Sequence, residues 1–74
     1  LLKAYRRDAP ILELGCGSGQ MLWYLRRIGF NNTVGIDISK DQIELAHAKG
    51  FNAICADAPT FLKEHENKYE VIIF

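Results

Sequence analysis

Neither sign of charge is in excess in this 74-residue sequence: nine Lys and Arg balance nine Asp and Glu, for zero net charge. The basic surplus that marks a nucleic-acid surface is therefore missing. Cysteine is scarce, limited to Cys16 and Cys55, and no CxxC pair occurs. Neither a zinc site nor a disulfide framework is supported, and two reduced thiols fit a reducing, cytoplasmic setting. No apolar run approaches the roughly 20 residues that cross a bilayer. The first residues also lack the charged-then-apolar pattern of a secretory leader. His47 and His65 have no Cys, His or carboxylate partner at ligand spacing, so no metal site is expected. What is present in quantity is apolar matter, 49% of residues against 24% charged, an ordinary globular balance.

Domains most often run to about 100–150 residues, so this length is about half of one. The sequence opens on Leu1 rather than Met and closes on Phe74 inside an apolar run. It is expected to be part of something longer.

Four apolar runs, Ile11–Leu14, Thr33–Ile38, Ala53–Ala56 and Tyr69–Phe74, alternate with three segments of helical pattern. Runs of Ile and Val without polar alternation predict strands buried on both faces of a parallel sheet. Met21, Leu22, Leu25 and Ile28 recur at helical spacing before Gly29, a natural helix stop. Trp23 and Tyr24, on the same segment, are expected to pack on the sheet. Ser39 followed by Gln42 reads as a capping box, with Ile43, Leu45 and Ala46 supplying the buried side of the second helix. Pro59 suits the first position of a third helix anchored by Phe61 and Leu62. Strands alternating with helices at this spacing predict βαβ units in an α/β fold.

The segment Glu13-Leu14-Gly15-Cys16-Gly17-Ser18-Gly19-Gln20 lies between the first strand and the first helix. Glycines there let the chain turn sharply and let backbone approach a ligand without intervening Cβ atoms. Asp37 closes the second strand, 22 residues after Gly15, the separation at which a carboxylate accepts from ribose hydroxyls. A pyrophosphate fingerprint, GxGxxG, would need glycine at position 20, where Gln20 stands. Glu13 would sit awkwardly beside a pyrophosphate but comfortably near a cation. These features favour a nucleoside ligand without phosphates and with a positive centre.

Glu13–Gly19 resembles the first motif of class I S-adenosylmethionine-dependent methyltransferases. Gly35-Ile36-Asp37-Ile38-Ser39 is similar to their second motif and Ala56-Asp57-Ala58 to their third. The resemblance runs from about Ile11 to Phe74. It implies a Rossmann-like, doubly wound parallel sheet, here partial, with four strands in the order 3-2-1-4. Residues 1–74 would then be the N-terminal, cofactor-binding half of a methyltransferase domain, with the C-terminal half absent.

By the same resemblance, Gly15, Cys16, Gly17 and Gly19 form the loop around the methionine portion of S-adenosyl-L-methionine. Glu13 lies near its amino group, Asp37 takes the ribose hydroxyls and Ile38 packs on the adenine. Asp57 meets the adenine amino group and the Ala58 backbone N–H the ring. Phe74 begins the stretch whose following residues hold the amino group. Glu70 departs from the Asp often found at the head of the fourth strand. No catalytic residue is assigned, because acceptor-site residues of this family commonly follow the fourth strand. The acceptor is expected to be a small molecule, given the neutral charge.

Rival readings are a dinucleotide-dependent oxidoreductase, disfavoured by Glu13 and Gln20, a non-catalytic methyltransferase-like binding module, and an aminopropyltransferase using the decarboxylated cofactor. A chain this short buries only about 60% of its unfolded surface, and its fourth strand would be an unpaired apolar edge. The isolated 74-residue piece is therefore expected to be poorly stable and inactive. Circular dichroism should show a broad, low-temperature melt, and a cooperative melt of a monomer would contradict this.

Overall fold

The computed structural model describes residues 2–74. Seven principal elements follow in order: β1 (Ile11–Leu14), α1 (Gln20–Arg27), β2 (Thr33–Asp37), α2 (Lys40–Ala48), β3 (Ala53–Cys55), α3 (Ala58–His65) and β4 (Val71–Ile73). Short 3-10 turns cover Leu2–Ala4 and Glu66–Lys68. All pairings are parallel, as the strand–helix alternation predicts, and the strand order is β3-β2-β1-β4, as the resemblance implies. Ile11 pairs with Thr33 on one side and Val71 on the other, which places Glu13 opposite Gly35 and Ile73.

Successive strand residues point to opposite faces, and the buried clusters divide accordingly. On one face Ile11 packs with Leu25 and Phe30, beside a second group of Cys16, Leu22, Ile43, Ala46, Phe51 and Ala53. This face carries α1 and α2. On the other face Leu12 and Ile36 pack under Phe61 of α3. The order of the sheet steps outward from β1 to β3 and then returns past β1 to β4. That return leaves a switch point between β1 and β4, and α/β sheets bind ligands at such points, beyond the carboxyl ends of their strands.

Several local expectations shift. Strand β2 ends at Asp37 rather than Ile38, and β3 at Cys55 rather than Ala56, because Asp37 and Asp57 turn their side chains to the starts of the next helices. Strand β4 is confined to Val71–Ile73, with the Glu70 N–H already donating to the Pro10 carbonyl at 2.9 Å. In α1 the buried stripe is Leu22 and Leu25, which leaves Trp23 53% exposed rather than packed on the sheet. Tyr24 is likewise exposed, and the Arg27 guanidinium lies over the Trp23 ring at 5.4 Å. In α2 Ile43 and Ala46 are buried but Leu45 is 49% exposed. Leu45 is two positions past Ile43, roughly 200° around the helix, so both cannot face the sheet. Helix α3 begins at Ala58, so Pro59 is second rather than first.

Gly35 fixes the distance between α1 and the sheet. A Cβ built there would lie 2.5 Å from Cys16 Cβ, 2.6 Å from Cys16 Sγ and 2.9 Å from Leu22 Cδ1. Only a residue without a side chain lets the turn after β1 and the first turn of α1 lie directly on β2. Gly35→Ala in the full-length protein is therefore expected to cost about 1–3 kcal/mol through overpacking. Urea denaturation should show a lower midpoint with an unchanged slope.

Candidate functional site

The loop after β1 is pinned to β2 by its own backbone. The N–H groups of Gly15 and Cys16 both donate to the Ile36 carbonyl, at 2.8 and 2.9 Å, and the Gly19 N–H closes the turn on the Cys16 carbonyl at 3.1 Å. Gly15, Gly17 and Gly19 all have positive φ, the region in which residues with side chains are strained. Gly19 carries a second constraint, since a Cβ there would fall 2.7 Å from the Phe51 ring. Gly19 also caps α1 without a side-chain hydrogen bond, leaving the first amides of that helix free to face an electronegative group.

Asp37 organises the site. One carboxylate oxygen accepts from the Gly17 N–H at 2.9 Å and the other from the Ser39 N–H at 2.9 Å. A single side chain thus joins the middle of the glycine loop to the entry of α2. The Ser39 hydroxyl in turn accepts from the Gln42 N–H at 3.3 Å, which is one half of the expected capping box. The reciprocal half is absent, because Asp37 has taken the Ser39 N–H that Gln42 would receive. Each Asp37 oxygen keeps a lone pair for a further donor.

Glu13 lies one strand over, opposite Gly35. Its Oε1 atom is buried and has no hydrogen-bond partner. Burial raises the Glu13 pKa above the usual carboxylate range, and the negative charge of Asp37 raises it further. Cys16 is buried between the two carboxylates and Gly35. Burial first, then the charges of Glu13 and Asp37, push its thiol up to about 11 against a small lowering by a backbone hydrogen bond. The thiol is neutral near pH 7 and packs as a small apolar group.

The remaining expected residues lie along the same carboxyl edge of the sheet. The Ala56 N–H donates to the Asp37 carbonyl at 3.0 Å, which brings the third motif beside the second. Asp57 caps α3, accepting from the Thr60 N–H at 3.1 Å and the Thr60 hydroxyl at 2.9 Å through Oδ2. Ala58 opens that helix. Ile38 stands out at 77% exposure, a bare apolar side chain immediately after Asp37. Phe74 is 98% exposed, following Ile73, the register partner of Glu13. Gly35 and Gln42 also lie against the glycine loop, Gly35 under Cys16 and Gln42 beside Gly17. Gly35 has a signal, a glycine inside an apolar strand, which marks close backbone approach. Gln42 has none apart from its capping position.

A parallel sheet in the order 3-2-1-4, a glycine loop after β1 and an acidic residue ending β2 define a Rossmann-like nucleoside-binding fold. Similarity to known proteins places it among the class I S-adenosylmethionine-dependent methyltransferases. Residues 11–74 match the methyltransferase-domain family, and the chain belongs to it. Among solved structures it is 34% identical to a plantazolicin methyltransferase, BamL, in complex with S-adenosylhomocysteine, at a TM-score of 0.74 over 95% of this chain and 27% of that one. It is 32% identical to a SAM-dependent methyltransferase from Archaeoglobus fulgidus, at a TM-score of 0.68 over 76% of this chain and 24% of that one. EEF1A lysine methyltransferase 2 of Danio rerio is 50% identical over 38 residues, which is 51% of this chain. The Homo sapiens protein of that name is 44% identical over 39 residues. The chain spans 16% of the length of each of these two relatives. No helix among the described residues is long and apolar enough to cross a membrane. The family match decides against the dinucleotide oxidoreductase reading.

The half-buried Glu13 carboxyl has a testable consequence. Its pKa is raised on folding, so the folded state holds a proton that the unfolded state has released, and stability falls as pH rises from the ordinary carboxylate range through the raised value. Glu13→Gln should flatten that slope and raise the melting temperature at neutral pH relative to wild type. Thermal melts of both full-length proteins across acid and neutral pH would check it.

Proposed function

We propose that residues 1–74 are the cofactor-binding part of a larger methyltransferase domain that transfers a methyl group from S-adenosylmethionine. The observation that carries the reading is the pair of carboxylates at the carboxyl edge of the sheet, Glu13 with its unpartnered oxygen and Asp37 bridging Gly17 and Ser39. They fit a ligand that is cationic at one end and carries a diol at the other. An orphaned buried carboxylate oxygen is costly alone and is relieved by a cation or a donor. When bound, the cofactor supplies an electrophilic methyl on a positive sulfur, and transfer is an in-line displacement helped chiefly by positioning.

In this reading the chain's own residues bind and orient. Gly15, Cys16, Gly17 and Gly19 surround the methionine portion through backbone groups, and Glu13 attracts its amino group. Asp37 accepts from the ribose hydroxyls with its two remaining lone pairs. Ile38 offers its exposed side chain to one face of the adenine, and Asp57 and the Ala58 N–H meet the ring edge. The Asp57 oxygen left free of capping, Oδ1, is the one available for that contact. Phe74 stands at the end of β4, beside the methionine end of the loop.

The acceptor proposed is a small molecule, on the zero net charge of the chain. The similarity to EEF1A lysine methyltransferase 2 favours a second reading, a lysine side chain of a protein. Both described cysteines are free, in keeping with a reducing, cytoplasmic location. Methyl-transfer assays on the full-length protein with each acceptor class decide between the acceptors, and transfer to none of them would leave a binding module.

Isothermal titration of the full-length protein with S-adenosylhomocysteine tests the cofactor reading. Asp37→Ala removes charged hydrogen bonds, each worth about 1.5–3 kcal/mol, and should weaken binding by about tenfold or more. Binding that is absent in wild type, or unchanged by the substitution, would defeat it.

A further inference from the structure

The hydrogen bonds around Asp37 leave a gap on the ligand's side. A carboxylate only accepts, so a ribose diol held by Asp37 spends both hydroxyl protons on it. The hydroxyl oxygens still have lone pairs, and those need donors. The two backbone N–H groups that meet the Asp37 carboxylate, of Gly17 and Ser39, are spent on Asp37 itself.

Gln42 is the side chain placed to supply the donor. It occupies the third helical position of α2, where a capping-box residue would bend back to the Ser39 N–H, but Asp37 holds that N–H instead. Its carboxamide lies against the glycine loop, with Oε1 3.6 Å from where a Cβ on Gly17 would be. Gly17 is the loop residue whose N–H is bound by Asp37, so the Asp37 carboxylate and the Gln42 carboxamide flank the same residue. Gln42 is half-buried, which limits the water competing for it. A carboxamide carries two donors and one acceptor on one planar fork and adds no charge beside Asp37 and Glu13, whose carboxylates already repel each other.

We propose that Gln42 is a positioning residue for the cofactor, donating from its side-chain amide to a ribose hydroxyl whose proton is held by Asp37. Ribose recognition is then divided between an acceptor at the end of β2 and a donor one turn into α2. The inference rests on the cofactor reading above and adds to it a residue that neither the glycine loop nor the acidic motif contains.

The test is a cycle of titrations on the full-length protein, using S-adenosylhomocysteine and its 2′-deoxy and 3′-deoxy analogues as probes. Gln42→Ala and Gln42→Met, the second keeping the side-chain length, should each weaken S-adenosylhomocysteine about fivefold, the size of one neutral hydrogen bond. With the deoxy analogue that lacks the contacted hydroxyl, the same substitutions should change affinity less than about twofold, while the other analogue keeps the full loss. Melting temperatures of the unliganded variants should match wild type, since Gln42 makes no side-chain capping bond. Equal losses with all three ligands would overturn the proposal and make Gln42 a packing residue of the loop, and no loss with any would overturn it outright. Failure of wild type to bind S-adenosylhomocysteine would instead defeat the cofactor reading, and this inference with it.

Discussion

Cys16 and Leu22 occupy the space that a side chain at the middle of β2 would need. Everything at the carboxyl edge of the sheet depends on that close approach. Because Gly35 presents no Cβ, the turn after β1 lies flat on β2, where the Ile36 carbonyl can accept from both Gly15 and Cys16. The turn is then low enough for the Gly17 N–H to meet Asp37, the next residue but one after Gly35. A wider gap between α1 and the sheet would break these bonds together, since all of them run between the same two segments.

The second consequence of the close packing is electrostatic. Glu13 and Asp37 sit on neighbouring strands with only small residues between them, Gly35 and Cys16, and neither has a cationic partner among the described salt bridges, which join Arg6 to Asp8 and Glu70. Two negative groups held close without a counter-ion make the unliganded site less stable than it would be with neutral side chains. Sites of this kind are commonly where a ligand's own charge completes the structure. Here the arrangement asks for positive charge near Glu13 and for hydroxyl or amide donors near Asp37. That pattern separates this loop from a phosphate-binding loop, which needs the opposite sign.

Much of this was legible in the residues. The strands follow from apolar runs without alternation, the helix bounds from Ser39 at a cap, Pro59 near a start and Gly29 at a stop, and the strand order from the family resemblance. The glycine loop and Asp37 stand out because a plain strand-to-helix turn seldom needs glycine at positions 15, 17 and 19 together with a carboxylate closing the next strand. What the sequence hid were relations set by three-dimensional phase. Trp23 and Leu45 are apolar yet exposed, because neighbours one or two positions away claimed the sheet-facing side of their helices. The role of Gly35 depends on Cys16, nineteen residues earlier in the chain, and no local pattern links the two. Gln42 was readable only as a cap, since nothing in its spacing shows that Asp37 takes the hydrogen bond it would have made.

The two thiols differ in a way useful to an experimenter. Cys16 is buried with its thiol pKa pushed up to about 11, whereas Cys55 is exposed at the sheet edge with its sulfur 3.5 Å from the Ile38 carbonyl. A maleimide dye added near neutral pH reacts with thiolate at accessible positions, so within these residues it selects Cys55 and spares Cys16. The label then rests on the strand position paired with Asp37 and beside Ile38, at the rim of the site. A fluorophore there would stand beside Asp37 and Ile38, within reach of changes at the carboxyl edge.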